Sequence, residues 1–201
     1  MAWIKLIEYE EAKGRLRKIY DRIKGPDNYI DNILKVHGLR PYSLEGHMAL
    51  YKYVLHNKTN TLPLHLLEAI GVYVSFLNKC DYCVDHHFQG MSRLIKDNKK
   101  SVAILNALKT DQPQKEYGSL AVSILAYAKK LALAPHELLE SDLSKMRKEG
   151  LGDGEILEVN QVVSYFCYAN RTVLGLGVTT KGDVLGLSPN DQTDDNNWSH
   201  N

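Results

Sequence analysis

Residues 62–93, LPLHLLEAIGVYVSFLNKCDYCVDHHFQGMSR, decide how this chain is read. They hold two of its three cysteines, spaced Cys80-x-x-Cys83, then His86 and His87, with Glu68 twelve residues before the first thiol inside an otherwise apolar run. Leu62 to Leu77 has a helical pattern: apolar residues recur at Leu66, Leu67, Ile70, Val74 and Leu77, and Pro63 sits at a first-turn position. Asn78-Lys79 offers a turn, and Asp81 suits the positive start of a second helix. In that helix Cys80, Cys83 and His87 are spaced i, i+3, i+7 and share a face. A hairpin folded about residue 79 sets Glu68 opposite roughly residue 90, so the order along the seam becomes Glu68, His87, Cys83, Cys80.

That order is a proton relay leading to a thiol pair. An ordinary thiol is mostly protonated at neutral pH, but a Cys-x-x-Cys pair at a helix start beside a base is held partly as thiolate. His87, one turn beyond Cys83, is placed to take the Cys83 proton. Glu68 then orients the imidazole or passes the proton onward, directly or through a water. A Cys83 thiolate that attacks a peroxide becomes a sulfenic acid, and Cys80 is the second thiol that condenses with it to a disulfide.

At these residues the chain resembles the alkylhydroperoxidase D core within the carboxymuconolactone decarboxylase-like family. The pattern is Glu68, eleven residues, Cys80-x-x-Cys83, three residues, His87. The likeness extends through VHGLRPYSLEGHMALYKYVLH before the motif and SYFCYANRTVLGLGV after it, as in an uncharacterised peroxidase-related subgroup, and spans nearly the whole chain. The resemblance implies an all-α helical bundle that assembles into homo-oligomers. It also implies a thiol peroxidase with catalytic residues Cys83 (peroxidatic), Cys80 (resolving), His87 and Glu68 (proton relay). Position 82 departs from the family's best-studied type, placing Tyr82 where that type has a histidine between its cysteines. The family also contains decarboxylases without the thiol pair, so the fold alone implies no activity.

Composition narrows the setting. The chain has 201 residues, 44% of them hydrophobic, enough for one core and one domain, expected over residues 1–187 with a polar tail at 188–201. With 25 basic and 24 acidic residues it has no general attraction to nucleic acid or an anionic membrane. MAWIKLIEYEEAKGRLRKIY turns charged within a few residues, and no apolar run reaches the roughly 18 residues a membrane span needs. The expectation is a soluble, cytoplasmic protein, where such a thiol pair is redox-active or metal-binding more often than structural.

Around the motif the pattern is helical throughout. Helices are expected at Glu8 to Lys24, from a cap at Ser43 to about His56, over Ser101 to Leu108, over Tyr117 to Leu131, over Asp142 to Lys148 with a Ser141 cap, and from Glu155 to about Gly175. Lys96 to Lys100 reads as a solvated turn, and VLGLSP (184–189) is too short to argue a sheet. His47 and Tyr51, one turn apart, read as hydrogen-bonded packing residues, and Cys167 as a small buried hydrophobe. LLEAIGVYVSFLNKC (66–80) lies over ILEVNQVVSYFCYAN (156–170), with Glu68 over Glu158 and Cys80 over Asn170, a faint internal pseudo-repeat. In the tail Trp198 invites docking, on its own domain or on a neighbouring subunit.

Three function classes stay open. The first is a peroxidase or disulfide oxidoreductase acting on a hydroperoxide and recharged by an external dithiol reductant, because no flavin or nicotinamide fingerprint is present and no cofactor or metal ligand is assigned. The second is a decarboxylase-like enzyme moving protons with Glu68 and His87. The third is a non-catalytic zinc-binding or redox-sensing protein, with Cys80, Cys83 and His86 or His87 as ligands that lack a well-placed fourth.

Overall fold

A computed structural model describes residues 2–191, 193–194 and 196–201, and every regular element among them is helical. The α-helices are α1 (Gly14–Ile23), α2 (Asn32–Val36), α3 (Pro41–Leu55), α4 (Leu64–Leu77), α5 (Asp81–Ile95), α6 (Asn98–Lys109), α7 (Ser119–Leu133), α8 (Glu140–Lys148) and α9 (Asp153–Leu176). The all-α expectation holds.

The helix α4 is the axis. Ten consecutive residues, Leu66 to Ser75, are buried, so this helix is covered on every side rather than on one stripe. It packs against α5, α9 and α7, with α3 and α6 completing its surround. Gly71 lets α9 come close: a Cβ there would lie 2.1 Å from the Phe166 ring. The two segments aligned as a pseudo-repeat are thus packed against each other. Their aligned glutamates part company, since Glu158 accepts hydrogen bonds from the Thr61 and Leu62 amides while Glu68 lies buried.

Several boundaries differ from the sequence expectation. The first helix begins at Gly14, because Gly14 takes a left-handed φ of 56° and Tyr9–Glu11 form a separate 3-10 turn. Glu10 and Glu11 therefore lie outside it. Ser43 is not a cap, since Pro41 opens α3 and the Ser43 hydroxyl donates to the Arg40 carbonyl. The expected Lys96–Lys100 turn shrinks to two residues: Lys96 closes α5 in the left-handed region, and Asp97 caps α6 by accepting from the Lys100 amide. In place of Ser141, the Asp142 carboxylate accepts from the Leu139 amide at the start of α8.

From Val178 the chain is irregular and folds back over the helices. Arg93 donates to the Leu185 and Gly186 carbonyls, and Lys52 to those of Pro189 and Asp191. Trp198 is buried on its own domain, with the Arg22 guanidinium 3.4 Å over its ring. Gln192 and Asp195 of this segment lie outside the described residues. No helix among the described residues is long and apolar enough to cross a membrane.

Candidate active site

The turn between α4 and α5 sets the thiols. Lys79 is left-handed (φ 58°), and the Cys80 amide donates to the Ser75 carbonyl at 2.9 Å. That closure leaves Cys80 as the non-helical N-cap of α5 (φ −103°, ψ 84°), one residue outside the helix in which the spacing had placed it. Cys83 falls in the first turn of α5, where unpaired amides favour negative charge. Both thiols are buried and free.

One proton is unevenly shared between them. The Cys83 thiol donates to the Cys80 sulfur, which holds Cys80 below the ordinary thiol range; giving that hydrogen bond, and burial, push Cys83 well above it. The Asn170 amide from α9 contacts both sulfurs and favours the thiolate on each. Asn170 is itself fixed, donating to the Ser75 hydroxyl at 3.1 Å and accepting from the Asn78 amide at 3.0 Å.

The two cysteines border different spaces. Cys83 lines a cavity of about 40 Å³ together with Glu68, His87, His47, Tyr51 and Tyr165. Cys80 lines a separate surface depression with Lys79, Asp85 and Val173. On the cavity wall, Nδ1–H of His87 donates to Oε2 of Glu68 at 2.7 Å, leaving Nε2 as the base nitrogen of the neutral ring. Glu68 lies beside Gly90, whose missing Cβ would stand 3.4 Å from the carboxyl group. His87 and Cys83 share the cavity without a direct hydrogen bond, so a proton passing between them needs a water or substrate in the gap.

Further groups surround the relay. His56 Nε2 stands 3.9 Å from the other Glu68 oxygen; neither ring nitrogen is hydrogen-bonded, and burial keeps the ring neutral, its pKa well below the ordinary value. Tyr51 stacks on Tyr165 (ring centroids 5.4 Å apart) and meets His87 edge-on. Burial holds both phenols protonated, so both are hydrogen-bond donors. Burial also drives the His47 pKa down to about 3. His86 departs from its neighbour: its ring stacks on Tyr82 and its Nε2 lies 3.2 Å from Asp183. The Tyr82 hydroxyl donates to Asp183 at 2.7 Å and accepts from the Ile33 amide at 3.1 Å.

No protein-family model matches the sequence, and no curated protein matches it. Solved structures do. A Ralstonia eutropha protein, described as an alkylhydroperoxidase AhpD core and an uncharacterized peroxidase-related protein, superposes with a TM-score of 0.77 over 89% of this chain and 91% of its own, at 19% identity. An uncharacterized peroxidase-related protein from a Silicibacter species gives 0.77 over the same shares, at 21% identity. The fold is that of the alkylhydroperoxidase D core. The debrominase Bmp8 is also similar (TM-score 0.66, 17% identity, 82% of this chain and 85% of that one), and a variant of it is solved with 2,3,4-tribromopyrrole. The alkylhydroperoxidase D core thus carries more than one chemistry.

Within this core the four residues singled out from sequence fall close together: Glu68 and His87 are hydrogen-bonded, Cys83 lines their cavity, and Cys80 interacts with Cys83 from outside that cavity. Missed were Asn170, Tyr165, His56, Asp31, Asp183 and His200, which come from distant segments and carry no local motif. Asn170 had a signal, its alignment over Cys80 in the pseudo-repeat. His47 and Tyr51, read as packing residues, line the cavity.

Proposed function

We propose that this protein is a thiol-dependent peroxidase that reduces a small hydroperoxide with Cys83 and Cys80 and is recharged by an external dithiol. One observation carries the reading: of the two interacting sulfurs, Cys83 borders the same cavity as the His87–Glu68 pair. Transfer of the Cys83 proton to Nε2 of His87, through a water or the substrate in the cavity, makes Cys83 the thiolate and gives His87 the proton it later returns. Its sulfur attacks the nearer peroxide oxygen, the O–O bond breaks, and Cys83 becomes a sulfenic acid as the alkoxide leaves. His87, oriented by Glu68, supplies the alkoxide with a proton, and the Tyr51 and Tyr165 hydroxyls are donors on the same wall. Cys80 then attacks the sulfenic sulfur, releasing water and forming the Cys80–Cys83 disulfide. A dithiol reduces that disulfide and is itself oxidised. Cys80 lines the second depression but is fully buried, so this exchange needs a local opening.

The cavity volume bears on substrate size. About 40 Å³ gives room for roughly three water-sized centres, which suits hydrogen peroxide or a short alkyl hydroperoxide better than a planar haloaromatic ring. The alternative, a decarboxylase-like proton-transfer enzyme, would use Glu68 and His87 alone. Cytoplasmic location and homo-oligomerisation remain part of the proposal. The test is hydroperoxide consumption by the purified chain with dithiothreitol as reductant. Turnover abolished in both Cys83→Ser and Cys80→Ser is the expected result, and turnover retained in Cys83→Ser would sink the reading.

A further inference from the structure

A second set of ligating side chains lies beside the same cavity, Asp31 and His86 lining it, without entering the thiol chemistry. Asp31 caps the start of α2, His86 lies on α5 and Asp183 on the C-terminal segment, and one ligand atom from each lies within 4.8 Å of the others. His86 Nε2 is 3.2 Å from Asp183 Oδ2. Asp31 is buried, and the Tyr29 hydroxyl donates to its Oδ1 at 3.0 Å. Its Oδ2 faces His200 Nε2 across 3.9 Å, beyond hydrogen-bonding distance.

The His200 ring gives an independent pointer. It is 3% exposed, and its Nδ1 lies 2.9 Å from the Ile23 carbonyl and 3.1 Å from the Trp198 carbonyl. Nδ1 therefore carries a proton, and in the neutral ring the Nε2 lone pair faces Asp31 Oδ2 across that 3.9 Å gap. Two facing lone pairs are unfavourable unless a proton, a water or a cation lies between them, and this gap opens on the cavity that both residues line.

We propose that Asp31, His86 and Asp183 bind one divalent transition-metal cation of the Zn²⁺ or Mn²⁺ kind, with His200 beside Asp31. Mixed imidazole and carboxylate donors suit such ions. Ligands each about 2.1 Å from a common ion lie roughly 3–4 Å apart; His86 and Asp183 stand at 3.2 Å, and an ion would draw the set, now within 4.8 Å, together by about 1 Å or less. The outer groups are also in place. Tyr29 holds Asp31, Tyr82 and the Asn32 amide hold Asp183, and two carbonyls hold His200 Nδ1. Such anchoring fixes ligand orientation in metal sites. Asp183 Oδ2 would exchange its contact with His86 for a shared ion. None of these ligands is a thiol, and the site does not depend on the peroxidase reading. It differs from the zinc alternative read in the sequence, which joined His86 or His87 to the two cysteines.

The experiment is calorimetric titration of the chelator-treated full chain with ZnCl₂ and, separately, MnCl₂, with circular dichroism of each variant as a folding check. One saturable ion per chain is expected for at least one of the two metals. Because loss of outer-shell groups alone weakens metal sites by about 10–100-fold, Asp31→Asn and the less buried His86→Asn should each lose at least that much. The Cys80→Ser/Cys83→Ser double variant should bind as the wild type does, and a Co²⁺ complex should lack a thiolate-to-metal band. No saturable binding of either metal by the wild type, undiminished binding by both ligand variants, or binding lost with the cysteines would each overturn the proposal.

Discussion

The proton held between Cys80 and Cys83 is where reactivity is set at the scale of single residues. Because Cys83 donates to Cys80, the resting thiolate character lies on Cys80, while Cys83 borders the cavity. In the wild type, the pH inflection for iodoacetamide alkylation of Cys80 should fall below the ordinary thiol value of about 8.5. Cys83→Ala removes the donor and should move that inflection upward; an unchanged inflection would mean that Cys83 does not tune its neighbour. Glu68→Gln keeps the size of the side chain but removes the anion that His87 faces at 2.7 Å. Hydroperoxide turnover should fall by about 10²-fold or more in steady-state assays, the usual scale for positioned acid–base groups. The spacing Glu68…Cys80-x-x-Cys83…His87 made these four residues legible because helix periodicity and a short turn fix their relative positions. The direction of the thiol hydrogen bond was not legible, since it depends on Cys80 stepping out of the helix at a left-handed Lys79.

At the scale of elements, the seam between α4 and α9 holds the site together, bringing Asn170 to the sulfurs and Tyr165 to the cavity. The seam depends on Gly71, where a Cβ would stand 2.1 Å from the Phe166 ring. Gly71→Ala should destabilise the fold by about 1–3 kcal/mol through overpacking, read as a lower urea midpoint. Adding Phe166→Leu should recover part of the loss, and strictly additive effects of the two changes would contradict a shared contact. The hairpin and the long last helix could be read from apolar periodicity. Helix starts were harder, because Pro41, Gly14 and Asp97 set them through backbone geometry and capping that similar nearby residues, such as Ser43, could equally have supplied.

For the whole molecule, buried neutral histidines couple stability to pH. His47 has its pKa depressed to about 3 and His56 well below its ordinary value, both mainly by burial. Unfolding restores each to about 6.5, so the unfolded chain takes up protons that the folded one refuses. Stability should therefore be full above pH ~6.5 and fall below it, by about 1 kcal/mol per pH unit for each such group, down to pH ~3 for His47. Urea unfolding across that range checks the slope, and His47→Gln should make it shallower. The C-terminal segment was legible only as a polar stretch with a tryptophan; its burial of Trp198 and His200 is written in contacts with Arg22 and Ile23, more than 170 positions away. Ending the chain after Ser188 removes His200 from the cavity wall and should speed alkylation of Cys83 by a bulky maleimide. The most direct measurement on the intact protein is a count of free thiols, mapped by peptide mass, before and after a small excess of hydrogen peroxide. Loss of Cys80 and Cys83 together, as a disulfide that dithiothreitol reverses, with Cys167 spared, is the expected result; peroxide that leaves both thiols free, or oxidises Cys167 first, would contradict it.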